Sequence, residues 1–148
     1  MRKDWPDIAD LVPHSGVARL LTHVVSCSST EIHAAGAIPA RHPLVIDGEA
    51  PPFMAIELGA QAAAAMEAIG RRAGSDGDAR PQPGSVVRVR EARFECTSFP
   101  VETPIHVTAE LLGSAHPLAI YRIRATLNGA TVVRAVISTR MGPIGGHS

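Results

Sequence analysis

Phe53-Met-Ala-Ile-Glu57-Leu-Gly-Ala-Gln61-Ala-Ala-Ala-Ala-Met-Glu67-Ala-Ile-Gly70 is the stretch whose reading decides the fold. Its alanines, leucine and methionines are strong helix formers, Pro51 and Pro52 stand where a helix tolerates proline, and Gly70 and Gly74 punctuate its end. The pattern predicts one long helix between Pro51 and Gly74. A membrane span needs about 20 apolar residues without internal charge, whereas this run carries Glu57, Gln61 and Glu67 and leads into Arg71 and Arg72. A soluble helix that is apolar on nearly every side has to be covered on nearly every side. The rest of the chain must wrap it.

The flanking sequence supplies the wrapper. On the amino-terminal side, Pro6 to Leu11 suits a short helical turn that Pro13-His14-Ser15-Gly16 breaks. Two strand-like runs follow, Ala18 to Ser26 and Thr30 to Ile38, joined by a turn at Cys27-Ser-Ser-Thr30. From Pro39 to Pro52 the composition shifts to proline, glycine and charge, a loop long enough to suggest function. On the carboxy-terminal side, a Gly/Asp/Pro-rich loop from Gly74 to Gly84 precedes four strand-like runs: Val86 to Cys96, Thr103 to Leu112, Leu118 to Leu127 and Thr131 to Met141. The second alternates Ile105, Val107, Ala109 and Leu111 with polar residues, the period of a strand with one buried face. Asn128-Gly129 between the last two is a strong hairpin signal. The expected class is α+β, an antiparallel sheet curled around one helix.

Bulk properties narrow the function. With 148 residues, nearly half of them apolar, the chain suits a single domain spanning 1–148, its core at about 11–141. Fourteen basic residues balance fourteen acidic ones, so the footprint of a nucleic-acid binder is missing. The polar start lacks the apolar run of a secretory signal, and a cytoplasmic protein is expected. Cys27 and Cys96 have no metal-ligand spacing and read as buried free thiols. No histidine pair supports a metal site, and neither a Gly-x-Ser-x-Gly elbow nor a phosphate or dinucleotide loop occurs.

Three residues remain as candidates for chemistry. Glu57 lies in the first or second turn of the helix, where the dipole favours any acid. Nothing basic lies one turn away, and burial among apolar neighbours would raise its pKa and make it a proton-transfer group near neutrality. Gln61 is one turn on, placed either to hold Glu57 by a hydrogen bond or to serve as a satisfied core amide. His42, in the long loop, is either surface decoration or a base carried towards the helix start, where free amides can accept an oxyanion. His14, beside a proline at a turn, reads as a weaker candidate, as do the other histidines. Arg88, Arg90 and Arg93 alternate as on a solvated strand face, with a docking patch as the other reading.

Leu11-Val-Pro-His14, Arg19-Leu-Leu, His42-Pro-Leu, Ala55-Ile-Glu57-Leu-Gly-Ala-Gln61 and Phe94-Glu-Cys-Thr-Ser-Phe-Pro together resemble the hotdog-fold 3-hydroxyacyl-acyl-carrier-protein dehydratases, nearest the branch associated with aryl-polyene gene clusters. The resemblance runs from about Leu11 to Met141, and its most specific part is the Glu-x-x-x-Gln of the helix preceded by a His-Pro loop. It implies dehydration of 3-hydroxyacyl thioesters to trans-2-enoyl thioesters, with His42 removing the α-proton and Glu57 assisting departure of the β-hydroxyl. Gln61 would support Glu57 and, with Phe53, bind the substrate, an amide near Phe53 facing the thioester carbonyl. The substrate would ride on the phosphopantetheine arm of an acyl carrier protein, with no diffusible cofactor. It also implies a homodimer or heterodimer of hotdog subunits, with each site built where the loop of one meets the helix of the other. The main fatty-acid dehydratases have His-Phe-Pro-Gly where this chain has His42-Pro43-Leu44. A hotdog thioesterase and a non-catalytic partner subunit are the alternatives.

Overall fold

A computed structural model describes residues 4–74 and 84–141. The loop expected over 75–83 and the tail bearing His147 lie outside the described residues. Among the described residues, eight strands and one long helix follow a short 3-10 turn at Ile8–Asp10 and a second at Gly16–Ala18. The strands are β1 (Leu21–Cys27), β2 (Glu31–Gly36), β3 (Glu49–Ala50), β4 (Gly84–Phe94), β5 (Phe99–Pro100), β6 (Ile105–Ala115), β7 (Leu118–Leu127) and β8 (Ala130–Met141). The helix α1 spans Met54–Ala73.

Six strands form one antiparallel sheet in the order β1-β2-β6-β7-β8-β4. The chain crosses from β2 to β6 and from β4 to β8, because α1 and β4 intervene and the sheet curls around the helix: the hotdog arrangement. Alternation writes the inner face. Tyr121, Ile123 and Ala125 of β7 and Val133, Ala135 and Ile137 of β8 are at most 2% exposed, while Arg122, Arg124 and Arg134 between them face solvent. Asn128 and Gly129 turn the last hairpin, both at positive φ (52° and 84°), as a two-residue turn matched to strand twist requires.

Helix and sheet approach closely under Gly59. A β-carbon there would collide with the Ile123 side chain, so a glycine that weakens a helix by about 1 kcal/mol relative to alanine is retained for packing. Met54, Ala55, Ile56, Leu58, Gly59, Gln61, Ala62, Ala63, Ala65, Met66 and Ala68 are buried. Against the expectation from its apolar sequence, the sheet does not cover the whole helix. Glu57, Ala60, Ala64, Glu67 and Arg71, spaced three or four apart, form a stripe that stays partly open.

The long loop before the helix is also more ordered than its composition predicts. Within it, β3 pairs with β5, Val101 N–H donates to the Gly48 carbonyl at 3.0 Å, and Ala40 N–H donates to Glu102 Oε2 at 3.0 Å. These two-residue strands are too short to show periodicity. Cys27 and Cys96 form no disulfide among the described residues, as expected, but they are partly exposed rather than buried. Among the described residues no helix is long and apolar enough to cross a membrane.

Candidate active site

The open stripe of α1 carries Glu57 at its amino-terminal end, and the sequence around it explains why the carboxyl is held there. Pro51 and Pro52 have no N–H to satisfy, and the next amides are spent locally. Met54 N–H donates to the Pro51 carbonyl, Ala55 N–H to that of Pro52, and Ile56 and Glu57 N–H to that of Phe53, at 2.9 to 3.4 Å. The Phe53 N–H is left without a partner among the described residues, and its side chain is half exposed. The expected oxyanion donor is thus reduced to one amide at the helix start.

Gln61 fixes the geometry one turn on. Its side chain is fully buried, and its amide makes four hydrogen bonds. Oε1 accepts from Leu20 N–H at 2.8 Å and Leu21 N–H at 3.1 Å, while Nε2 donates to the Ala18 carbonyl at 2.7 Å and to Glu57 Oε2 at 3.1 Å. A carboxamide has two acceptor lone pairs and two donor hydrogens, so Gln61 has no capacity left for a ligand. It positions Glu57 and staples the entry to β1 onto the helix, and the substrate contact expected of it has nothing to work with.

The imidazole that meets Glu57 is His14. Its Nε2 lies 3.4 Å from the same Oε2 that Gln61 holds, and Oε1 is left open. Leu11 and Val12, both 1% exposed, anchor the chain just before Pro13 and aim His14 at the helix. His14 Nδ1 is buried with no hydrogen-bond partner among the described residues. Because Nε2 faces a carboxylate, the ring proton of a neutral His14 belongs on Nε2.

His42, the imidazole expected to act as base, sits differently. Its ring is partly buried in a turn, and Nδ1 accepts from Leu44 N–H at 3.2 Å. That bond requires the lone pair on Nδ1, so a neutral His42 bears its proton on Nε2 and is a donor in this arrangement. It makes no direct contact with Glu57 but is close enough for its charge to act on the carboxyl. His14 meets Glu57 within one chain, and His42 acts on it through charge.

Burial pushes the Glu57 carboxyl up, as anticipated. The hydrogen bonds from His14 and Gln61, with the nearby charges of His14 and His42, outweigh it and hold the carboxyl below the usual carboxylate range. The expectation of a raised pKa is thereby corrected: burial is the largest single influence, but the two hydrogen bonds and the two imidazole charges together exceed it. The sequence favours His42 because of its loop and ranks His14 lower. The signal was in the Leu-x-Pro-His motif, whose two apolar anchors precede a ring that cannot turn away.

The pair opens onto a cavity of about 320 Å³ running along the stripe. Its floor is Ala60, Ala63 and Ala64, its walls include Val86 and Met141, and Glu67 lies at its other end. Small, largely apolar walls and one reactive end suit a linear apolar group carrying a polar head. No group of three His, Cys, Asp or Glu residues among the described residues could hold a metal ion.

Arginines mark the opposite face of the sheet. Pairing places Arg124, Arg134 and Arg93 side by side across β7, β8 and β4. Arg93 joins that row because a bulge between Arg90 and Arg93, with Glu91 at φ 55°, shifts the alternation. The edge strand β4 is itself exposed along most of its length, Val87, Val89 and Phe94 included.

Comparison with known proteins bears on the family and the fold. The ApeP-like family, described as ApeP dehydratase, matches residues 6–143. No curated protein matches the chain. Among solved structures, a chain of the dehydratase heterocomplex ApeI:P from Xenorhabdus doucetiae is 19% identical with a TM-score of 0.83, over 95% of this chain and 93% of that one. A point mutant of the phenylacetic acid degradation protein PaaI from Thermus thermophilus is 18% identical with a TM-score of 0.55, over 81% and 91%. A hypothetical thioesterase with coenzyme A from Streptococcus pneumoniae is 10% identical with a TM-score of 0.56, over 80% and 83%. At these identities the structures establish the shared fold.

Proposed function

Because the chain belongs to the ApeP-like dehydratase family, we propose that it dehydrates 3-hydroxyacyl thioesters, presented on the phosphopantetheine arm of an acyl carrier protein, to trans-2-enoyl thioesters. The observation that carries this reading is the Glu57–His14 contact at 3.4 Å at one end of the apolar cavity. Elimination of water moves one proton off the carbon next to the carbonyl and one onto the departing hydroxyl. Glu57 is held ionised with Oε1 open among the described residues, and His14 presents Nε2–H as the imidazolium, which leaves a neutral ring once the proton is given. Glu57 therefore takes the α-proton, the electron pair left on carbon forms the double bond, and the hydroxyl leaves as water with the proton of His14. Transfer from Glu57 to His14 across their contact resets the pair. These roles reverse the assignment of base and acid that the family resemblance implied for His42 and Glu57, and the reason is electrostatic: a carboxyl below its ordinary pKa is a poor donor at neutral pH.

The Phe53 N–H is the donor available to the thioester carbonyl as charge develops there. His42, near enough for its charge to act on Glu57, carries a second N–H donor. The arginine row supports docking of a phosphate-bearing carrier, since guanidinium suits phosphate geometry. The exposed β4 edge supports side-by-side pairing with a second hotdog subunit, because an unpaired edge is a ready template for another strand.

The test is incubation of the purified chain, alone and with a second hotdog subunit, with 3-hydroxyacyl-carrier substrate, followed by mass spectrometry. A product lighter by one water, lost in Glu57→Gln and His14→Asn, is expected. Free acid without enoyl product would establish a thioesterase instead. Turnover in the complex that survives both substitutions would make this chain a supporting subunit.

A further inference from the structure

Glu67 is a second carboxyl in the cavity, and the elimination chemistry leaves it unused. It lies ten residues after Glu57 on the same open stripe, about 15 Å along the helix axis at 1.5 Å per residue. Ala60, Ala63 and Ala64 floor the space between them. A second cavity, of about 430 Å³, lies on the other side of Glu67, and Glu67 is the residue common to the described linings of both. The side chain is therefore a partition, and its position is held by a hydrogen bond with the phenol of the buried Tyr121.

Burial pushes the Glu67 carboxyl above its ordinary range, with Tyr121, Arg71 and His116 opposing the rise. Burial together with Glu67 pushes the Tyr121 phenol up as well. Tyr121 occupies only part of what a carboxyl can bond, and Glu67 is part of the cavity lining.

Resting on the dehydration reading, we propose that Glu67 closes the acyl cavity and selects acyl groups whose far end bears a hydroxyl over those that end in a methyl. A methyl group driven against the carboxyl strips its remaining water and returns no hydrogen bond, whereas a hydroxyl replaces the bond it displaces. The residue acts on specificity and takes no part in proton transfer at the thioester.

The experiment compares two 3-hydroxyacyl pantetheine thioesters of equal length, one methyl-ended and one hydroxyl-ended, each extended enough to span about 15 Å from the carbonyl to its far end. Binding is read by calorimetry and dehydration by kcat/KM, with the full chain and with Glu67→Leu and Glu67→Gln. The wild type is expected to favour the hydroxyl end by roughly tenfold or more in both readouts. Glu67→Gln should keep that preference and Glu67→Leu should abolish or invert it. Equal binding of the two ends by the wild type overturns the proposal and needs no variant. An unchanged ratio in Glu67→Leu overturns it too. Selective binding with no enoyl product leaves Glu67 in this role and removes the dehydration reading. Enoyl formation at equal kcat/KM from both ends does the reverse.

Discussion

Replacing Gln61 by leucine tests the centre of the site. Leucine is of similar bulk, so the change removes four hydrogen bonds and leaves little void. The Ala18 carbonyl belongs to an exposed residue and can turn to water. Leu20 and Leu21 are 1% and 2% exposed, and their N–H groups cannot. Each buried donor left unpaired costs roughly 1–3 kcal/mol, and leucine's own apolar burial returns a small part. A net loss of about 3 kcal/mol is expected, a large share of a native stability that is typically about 5–15 kcal/mol. Urea denaturation measures it directly.

The same substitution removes one of the two hydrogen bonds that hold Glu57 ionised. Its pKa then rises, and the acidic limb of the pH–rate profile moves to higher pH. Gln61→Glu separates the two effects: a carboxylate still accepts from Leu20 and Leu21, but it places a like charge beside Glu57. Its acidic limb should move further than that of Gln61→Leu. A Gln61→Leu protein within about 0.5 kcal/mol of wild type, below the cost of even one unpaired donor, would refute the hydrogen-bond network. A Gln61→Glu protein with an unmoved acidic limb would refute its hold on Glu57.

Other outcomes follow from the same contacts. His14→Asn should lower kcat by about 10²–10⁴, the usual weight of one general acid, and His42→Asn should lower it less, because His42 acts on Glu57 through charge alone; steady-state assays rank them. Gly59→Val should destabilise by about 1–3 kcal/mol through collision with Ile123, and Ile123→Ala in the same chain should recover part of it in a double-mutant cycle. Glu57 is depressed on folding, so its contribution is full above the unfolded carboxylate range and is lost as pH falls through its folded pKa. Glu67 is raised; its protonated form favours the fold, so stability falls as pH rises through its folded pKa. Glu67→Gln should accordingly be more stable than wild type at neutral pH and equal to it in acid, as thermal melts against pH will show.

Most of the fold was legible because its signals are local. Alternation marked β6, strand-like composition marked β7 and β8, Asn128-Gly129 marked a turn, and the alanine-rich helix lay within the limits read for it. The two-residue pair of β3 and β5 carries no period and was invisible. The partner of Glu57 was hidden for another reason: His14 lies forty-three residues away in sequence, and only the Pro13 turn and the buried anchors Leu11 and Val12 aim it at the carboxyl.

Sequence alone determined that one apolar helix must be wrapped by an antiparallel sheet, since periodicity and burial are set residue by residue. It also singled out Glu57 and Gln61, which share a helix and hence a spacing. Tertiary structure decided which imidazole meets the carboxyl and lowered a pKa that burial alone would have raised. It also left one stripe of the helix open as a cavity with Glu67 at its end. Each of these depends on distances between segments remote in the chain, and electrostatic and hydrogen-bond energies follow those distances.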